Sequence, residues 1–90
     1  MAERTLELRG IRLSHLIDYL KELDAEPRSS DFPLRFEGPG WRADILEETE
    51  IRFTPIFAVN AVKIRFEADT DERLDAVVRA YRTKTFRAGG

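Results

Sequence analysis

The stretch FPLRFEGPGWRADILEETEIRFTPIFAVNAVKIRFEA, residues 32–68, decides the fold. Its apolar residues fall on alternate positions: Leu34 and Phe36, then Trp41, Ala43 and Ile45, then Ile51 and Phe53, then Val62, Ile64 and Phe66. Successive side chains on a strand point to opposite faces, so a period of two marks strands with one buried face. Four strands are predicted, over about 32–37, 41–46, 50–54 and 61–68, the third with an extension past Pro55. The connections EGPG (37–40) and EETE (47–50) are short enough to join antiparallel neighbours. Apolar parity is odd through Val59 and even from Val62. A one-residue shift exchanges the two faces of a strand, so a turn or slip is expected near Asn60.

Upstream, TLELRGI (5–11) alternates Leu6 and Leu8 with polar residues as another strand, and Gly10 marks a bulge or bend. From Leu13 the period changes. Leu13, Leu16, Ile17, Leu20 and Leu23 lie on one helical stripe, with Ser14 expected to cap it, Pro27 unable to continue it and 27–31 a polar loop. Downstream, Asp69 and Glu72 have capping-box spacing, and Leu74, Val77, Val78 and Tyr81 form the stripe of a second helix. Acidic residues crowd its start and Arg79, Arg82 and Lys84 its end, the order a helix dipole favours. The predicted order is β-α-β-β-β-β-α: an α+β fold, an antiparallel sheet with both helices on one face. It forms a single domain over residues 1–90 with a short Gly-Gly tail at about 86–90.

Composition narrows the function classes. The chain has 42% hydrophobic and 36% charged residues, with only 5 Gly and 4 Pro, which fits a folded chain. Without Cys there are no disulfides, thiolate nucleophiles or Cys-rich zinc sites. The longest apolar run, 56–59, is far short of a membrane span, and MAERTLELRG carries no hydrophobic signal core, so the expectation is a cytoplasmic protein with no membrane contact. Fifteen basic against 17 acidic residues give a net charge of -2, unlike the one-signed field of a nucleic-acid binder. RNA stacking is disfavoured too, because alternation puts Phe36, Phe53 and Phe66 on the core side.

LRF (34–36), IRF (51–53) and IRF (64–66) would send Arg35, Arg52 and Arg65 to one sheet face. Such a cluster can hold a small anion bidentately. The same face carries Glu7, Glu37, Asp44, Glu50 and Glu67, and cross-strand charge pairs are the simpler account. His15 and Asp18 have the spacing of a helical pair, but adjacent Ser14 faces elsewhere, so no nucleophile and base are assembled and no enzyme is expected. One His and no Cys argue against a transition-metal site, and DILEETE (44–50) lacks calcium-loop spacing; neither metal nor cofactor is expected. In TPIFAVN (54–60), a strand continuing past Pro55 would turn Phe57 and Val59 to the core face and leave Ile56 and Ala58 on the charged face or along an edge. That makes the stretch at Ile56 and Phe57 a candidate apolar edge for a protein partner or self-association, and a buried crossover is the equal alternative. Gly89 and Gly90 could serve as a carrier tail, since residues without Cβ thread narrow channels and a terminal carboxylate can be adenylated.

ERTLELRGIRLSHLIDYLKELDAE (3–26), GWRADILEETEIRF (40–53), AVKIRFEADTDERLDAVVRAYR (61–82) and the terminal AGG together resemble the domain of unknown function in the C-terminal half of bacterial MoaD-related proteins. There it follows a β-grasp half similar to the sulfur-carrying subunit of molybdopterin synthase, and this chain resembles a standalone version without that half. The resemblance implies a TATA-binding-protein-like α+β fold and an association with molybdopterin or sulfur-transfer pathways. The leading expectation is a non-enzymatic binding or accessory module. The alternative is a small carrier whose Gly90 carboxylate is adenylated and then thiolated or conjugated.

Overall fold

The computed structural model describes the backbone of residues 2–89 and side chains through Phe86. Seven elements follow in order: β1 (Ala2–Arg9), α1 (Leu13–Glu22), β2 (Glu26–Pro27), β3 (Leu34–Gly38), β4 (Trp41–Thr54), β5 (Phe57–Ala68) and α2 (Asp71–Gly89). The strands form one antiparallel sheet in the order β1-β5-β4-β3-β2. The α+β class and the element order agree with the sequence reading, although the strands are divided differently.

EETE is not a turn. Residues 41–54 form one continuous strand, and the hairpin reverses at Pro55 and Ile56, so the buried-crossover reading of TPIFAVN fails. The fifth strand is the two-residue β2, inside what reads as loop, where Glu26 and Pro27 pair with Glu37 and Phe36. The expected slip near Asn60 is also absent, because β5 runs unbroken from Phe57 to Ala68. The irregularities lie in the partner strand: Ile45 pairs with Ile64 and Glu47 with Lys63, which leaves Leu46 as an extra residue, and a second shift between Arg52 and Thr54 leaves Phe53 extra beside the hairpin end. A bulge of this kind puts two residues opposite one and reverses the facing of everything beyond it.

The core lies between the helices and one face of the sheet. Ile45, Val62, Ile64 and Phe66 from the strands meet Leu16 and Leu20 of α1 and Leu74, Val78 and Tyr81 of α2, all buried. The helical stripes read from sequence therefore face inward. Tyr81 joins the helices, its hydroxyl donating to the Leu16 carbonyl at 2.9 Å, with its ring centroid 5.2 Å from that of Phe66. Burial pushes the Tyr81 phenol well above its ordinary range, with the nearby Tyr19 adding to the effect.

The helix ends differ in detail from expectation. Arg12 occupies the N-cap of α1 without a side-chain cap, so Ser14 sits inside the helix. At the other end Asp24, at φ 70°, takes the left-handed position, while the Ala25 and Asp24 amides donate to the Leu20 and Lys21 carbonyls. In α2 the cap is Thr70, whose hydroxyl accepts from the Arg73 amide at 3.1 Å, and Asp69 instead holds the Arg73 side chain at 3.0 Å. Among the described residues no helix is long and apolar enough to cross a membrane.

Candidate functional site

Two features project from the core: a charged outer sheet face and a β-ribbon arm. The arm exists because β4 and β5 outrun their neighbours. β3 pairs with β4 only as far as Ile45, and β1 with β5 only as far as Ala61. The remaining residues continue as a two-stranded ribbon, about 20 Å long at 3.3–3.4 Å per residue. The molecule is accordingly elongated, 43 × 27 × 21 Å.

Beyond the Leu46 bulge the pairs Glu48–Val62, Glu50–Asn60 and Arg52–Ala58 continue the helix-side face, while Thr49–Ala61 and Ile51–Val59 continue the outer face. Ile51, in perfect alternation with the core residues of the same strand, therefore emerges on the opposite side, and Phe53, at the second shift, is exposed beside Phe57. Phe53 is 55% exposed, which corrects its expected place in the core, whereas Phe36 and Phe66 are buried as expected. The Phe53 and Phe57 rings lie 5.7 Å apart, and Ile56 at the tip is 97% exposed. Ile51, Phe53, Phe57 and Val59 thus make a small apolar surface on an arm also bearing Glu50, with Glu47 and Glu48 at its base. The Ile56 and Phe57 edge foreseen from sequence is the tip of this arm; Phe53 was missed, because alternation alone does not reveal a bulge. One premise against base stacking, that Phe53 is inward, does not hold.

The bulge also separates the three predicted arginines. Arg35 and Arg65 flank Asp44 on the outer face, in cross-strand register on β3, β4 and β5. Arg52 is instead on the arm, paired with Glu50 at 2.9 Å and donating to the Pro55 carbonyl at 3.1 Å. Arg42 stands in its place. Asp44, only 1% exposed, accepts from Arg65 Nη2 at 2.9 Å, with Arg35 Nε at 3.9 Å and Arg42 Nε at 4.0 Å. Arg42 Nη2 donates to Glu67 at 2.7 Å, and Arg65 Nε lies 3.2 Å from the same carboxylate. The hydrogen bond to Asp44, outweighing partial desolvation, raises the Arg65 guanidinium above its already high ordinary value. These guanidinium groups are already engaged by carboxylates, which is the cross-strand pairing account; an added anion would compete with Asp44 and Glu67. The acidic cluster of residues 44–50 dissolves correspondingly: Asp44 is buried among arginines and the glutamates line a strand.

His15 and Asp18 are exposed on α1, and no hydrogen bond joins them among the described residues. Gly89 ends α2, and Gly90 lies outside the described residues, as do the side chains from 87 onward.

A five-stranded antiparallel sheet, two helices on one face and a protruding ribbon define a small α+β domain whose outward chemistry is paired charge and one apolar arm. The chain belongs to a family described as archaeal MoaD-like protein, whose family model matches residues 4–90. Comparison with curated proteins finds no match.

Proposed function

We propose that this chain is a non-enzymatic binding or accessory module that acts in the cytoplasm in molybdopterin or sulfur-transfer pathways, with the β4–β5 arm as its protein-docking element. The observation that carries this reading is the arm tip: Phe53, Ile56 and Phe57, more than half exposed, on a ribbon with no third strand or helix beneath it. A two-stranded ribbon is marginally stable alone, and apolar surface held away from a core is the kind that partner binding covers. Family membership supports the pathway assignment. The test is binding to purified molybdopterin synthase and sulfur-transfer proteins from the same organism. Ile56→Asp with Phe57→Ser should abolish capture while leaving the melting temperature unchanged. Equal capture by wild type and variant would remove the arm from the reading.

The second reading is the carrier, favoured by a family match that runs through Gly89 and Gly90. It requires the last turn of α2, helical to Gly89, to open so that the carboxylate can reach an adenylating enzyme. Mass spectrometry after incubation with that enzyme, ATP and a sulfur donor would reveal a thiocarboxylate. Deleting Gly89 and Gly90 should leave partner capture intact if the module reading holds, and abolish it if the tail is the working part.

A further inference from the structure

β1 is an end strand of the sheet, paired with β5 on one side only. On its other side the backbone N–H and C=O groups of every second residue have no ladder partner. A cleft of about 880 Å³ runs along that side, between β1 and α2. Arg4 and Leu8 reach it from the helix-side face of the strand, and Glu7 and Arg9 from the outer face. A cleft touched by both faces of one strand wraps the strand's edge.

The far wall is α2. Val78 and Ile11 supply a buried apolar floor, and Phe86, 80% exposed, stands at one end. The charges are unequal in availability. Arg4 is held by Asp75 at 2.7 Å and Arg9 by Glu7 at 2.6 Å. Elsewhere on α2, Arg73 pairs with Asp69 and Lys84 with Glu22. Arg79 and Arg82 line the cleft with no ion pair among the described residues, and at i, i+3 they lie on the same side of the helix.

We infer that this cleft is a strand-addition site for an extended, acidic segment of a partner protein. The segment hydrogen-bonds to the open edge of β1, and its carboxylates on alternate, helix-side positions meet Arg79 and Arg82. Two free guanidinium groups alone would also suit a small anion, but a small anion leaves the row of backbone groups along an eight-residue strand unused. A second copy fits less well, since its β1 would bring Arg4 and Arg9 toward the same two arginines. The inference is independent of the arm, which lies at the opposite end of the β4–β5 hairpin from its connection to α2.

The probe is a fluorescent eight-residue peptide alternating Glu and Val, with a Lys and Val peptide as the charge control. Anisotropy should show the acidic peptide binding and the basic one not. Arg79→Ala with Arg82→Ala should weaken binding at least about tenfold without changing the circular dichroism spectrum. Hydrogen exchange should slow at alternate amides of β1 when the acidic peptide is bound. N-methylating one alternate set of peptide amides should abolish binding, and methylating the other set should not. Each of these results overturns the inference: no binding of the acidic peptide, equal binding by the arginine variant, equal loss from both methylation patterns, or dimerisation through β1. Phenyl phosphate displacing the peptide with no protection of β1 amides would assign the cleft to small anions and also overturn it.

Discussion

Replacing Asp44 with Asn changes one charge and almost no volume, and should be the most costly conservative substitution on the outer face. The carboxylate is 1% exposed and accepts from Arg65 at 2.9 Å, with Arg35 and Arg42 within 4.0 Å. Breaking a fully buried ion pair from one side costs about 3–5 kcal/mol. Here the three arginine side chains are 54%, 36% and 35% exposed, so water takes over part of their solvation and the upper figure is not reached. Loss of a hydrogen bond to a charged partner, about 1.5–3 kcal/mol, is the better guide, and Asp44→Asn should destabilise by about 2 kcal/mol. With an unfolding entropy of about 2.1 cal/mol/K per residue, that lowers the midpoint of a thermal melt by about 10 °C. The gap should persist in about 1 M salt, where the Debye length falls to about 3 Å and exposed pairs are screened. A shift under about 3 °C, or one erased by salt, would refute the view that this carboxylate organises the face.

Gly38→Ala places a Cβ against the Trp41 indole, which must move. Overpacking of this kind costs about 1–3 kcal/mol and should change the emission of the only Trp, read by fluorescence-monitored urea unfolding. For Tyr81 the folded pKa is raised, so its contribution is intact below the unfolded value of about 10. Above that pH the unfolded chain releases a proton that the fold retains, and stability should fall by up to about 1.4 kcal/mol per pH unit. Urea midpoints from pH 9 to 11 measure it, and Tyr81→Phe should flatten the decline.

The helices were readable because their stripes are long and each apolar residue repeats the same information: Leu16 and Leu20, like Leu74, Val78 and Tyr81, sit where a 3.6-residue period puts them. The sheet's core rows were readable for the same reason as far as Ile45. Past that point the sequence keeps its odd parity through Ile51 and Phe53 while the chain changes sides at Leu46, and nothing in the local pattern distinguishes a bulge from an unbroken strand. EETE resembles a turn in composition, but glutamates are tolerated on a ribbon with both faces wet. The arginine cluster was half legible. Alternation brings Arg35 and Arg65 together; the burial of Asp44 between them depends on strands that are distant in sequence, and Arg52 is removed by the same bulge. The β1–α2 cleft left no trace in the pattern, because it depends on which strand is last in the sheet.

Because one unpaired residue sets which way the distal half of β4 looks, the display on the arm answers to chain length at Leu46 more than to side-chain identity. Losing that residue would roll Ile51 under the ribbon and bring Glu48 and Glu50 over beside Val59 and Phe57, which keep their places on β5, setting acid next to oil on the arm without altering any other letter of the chain.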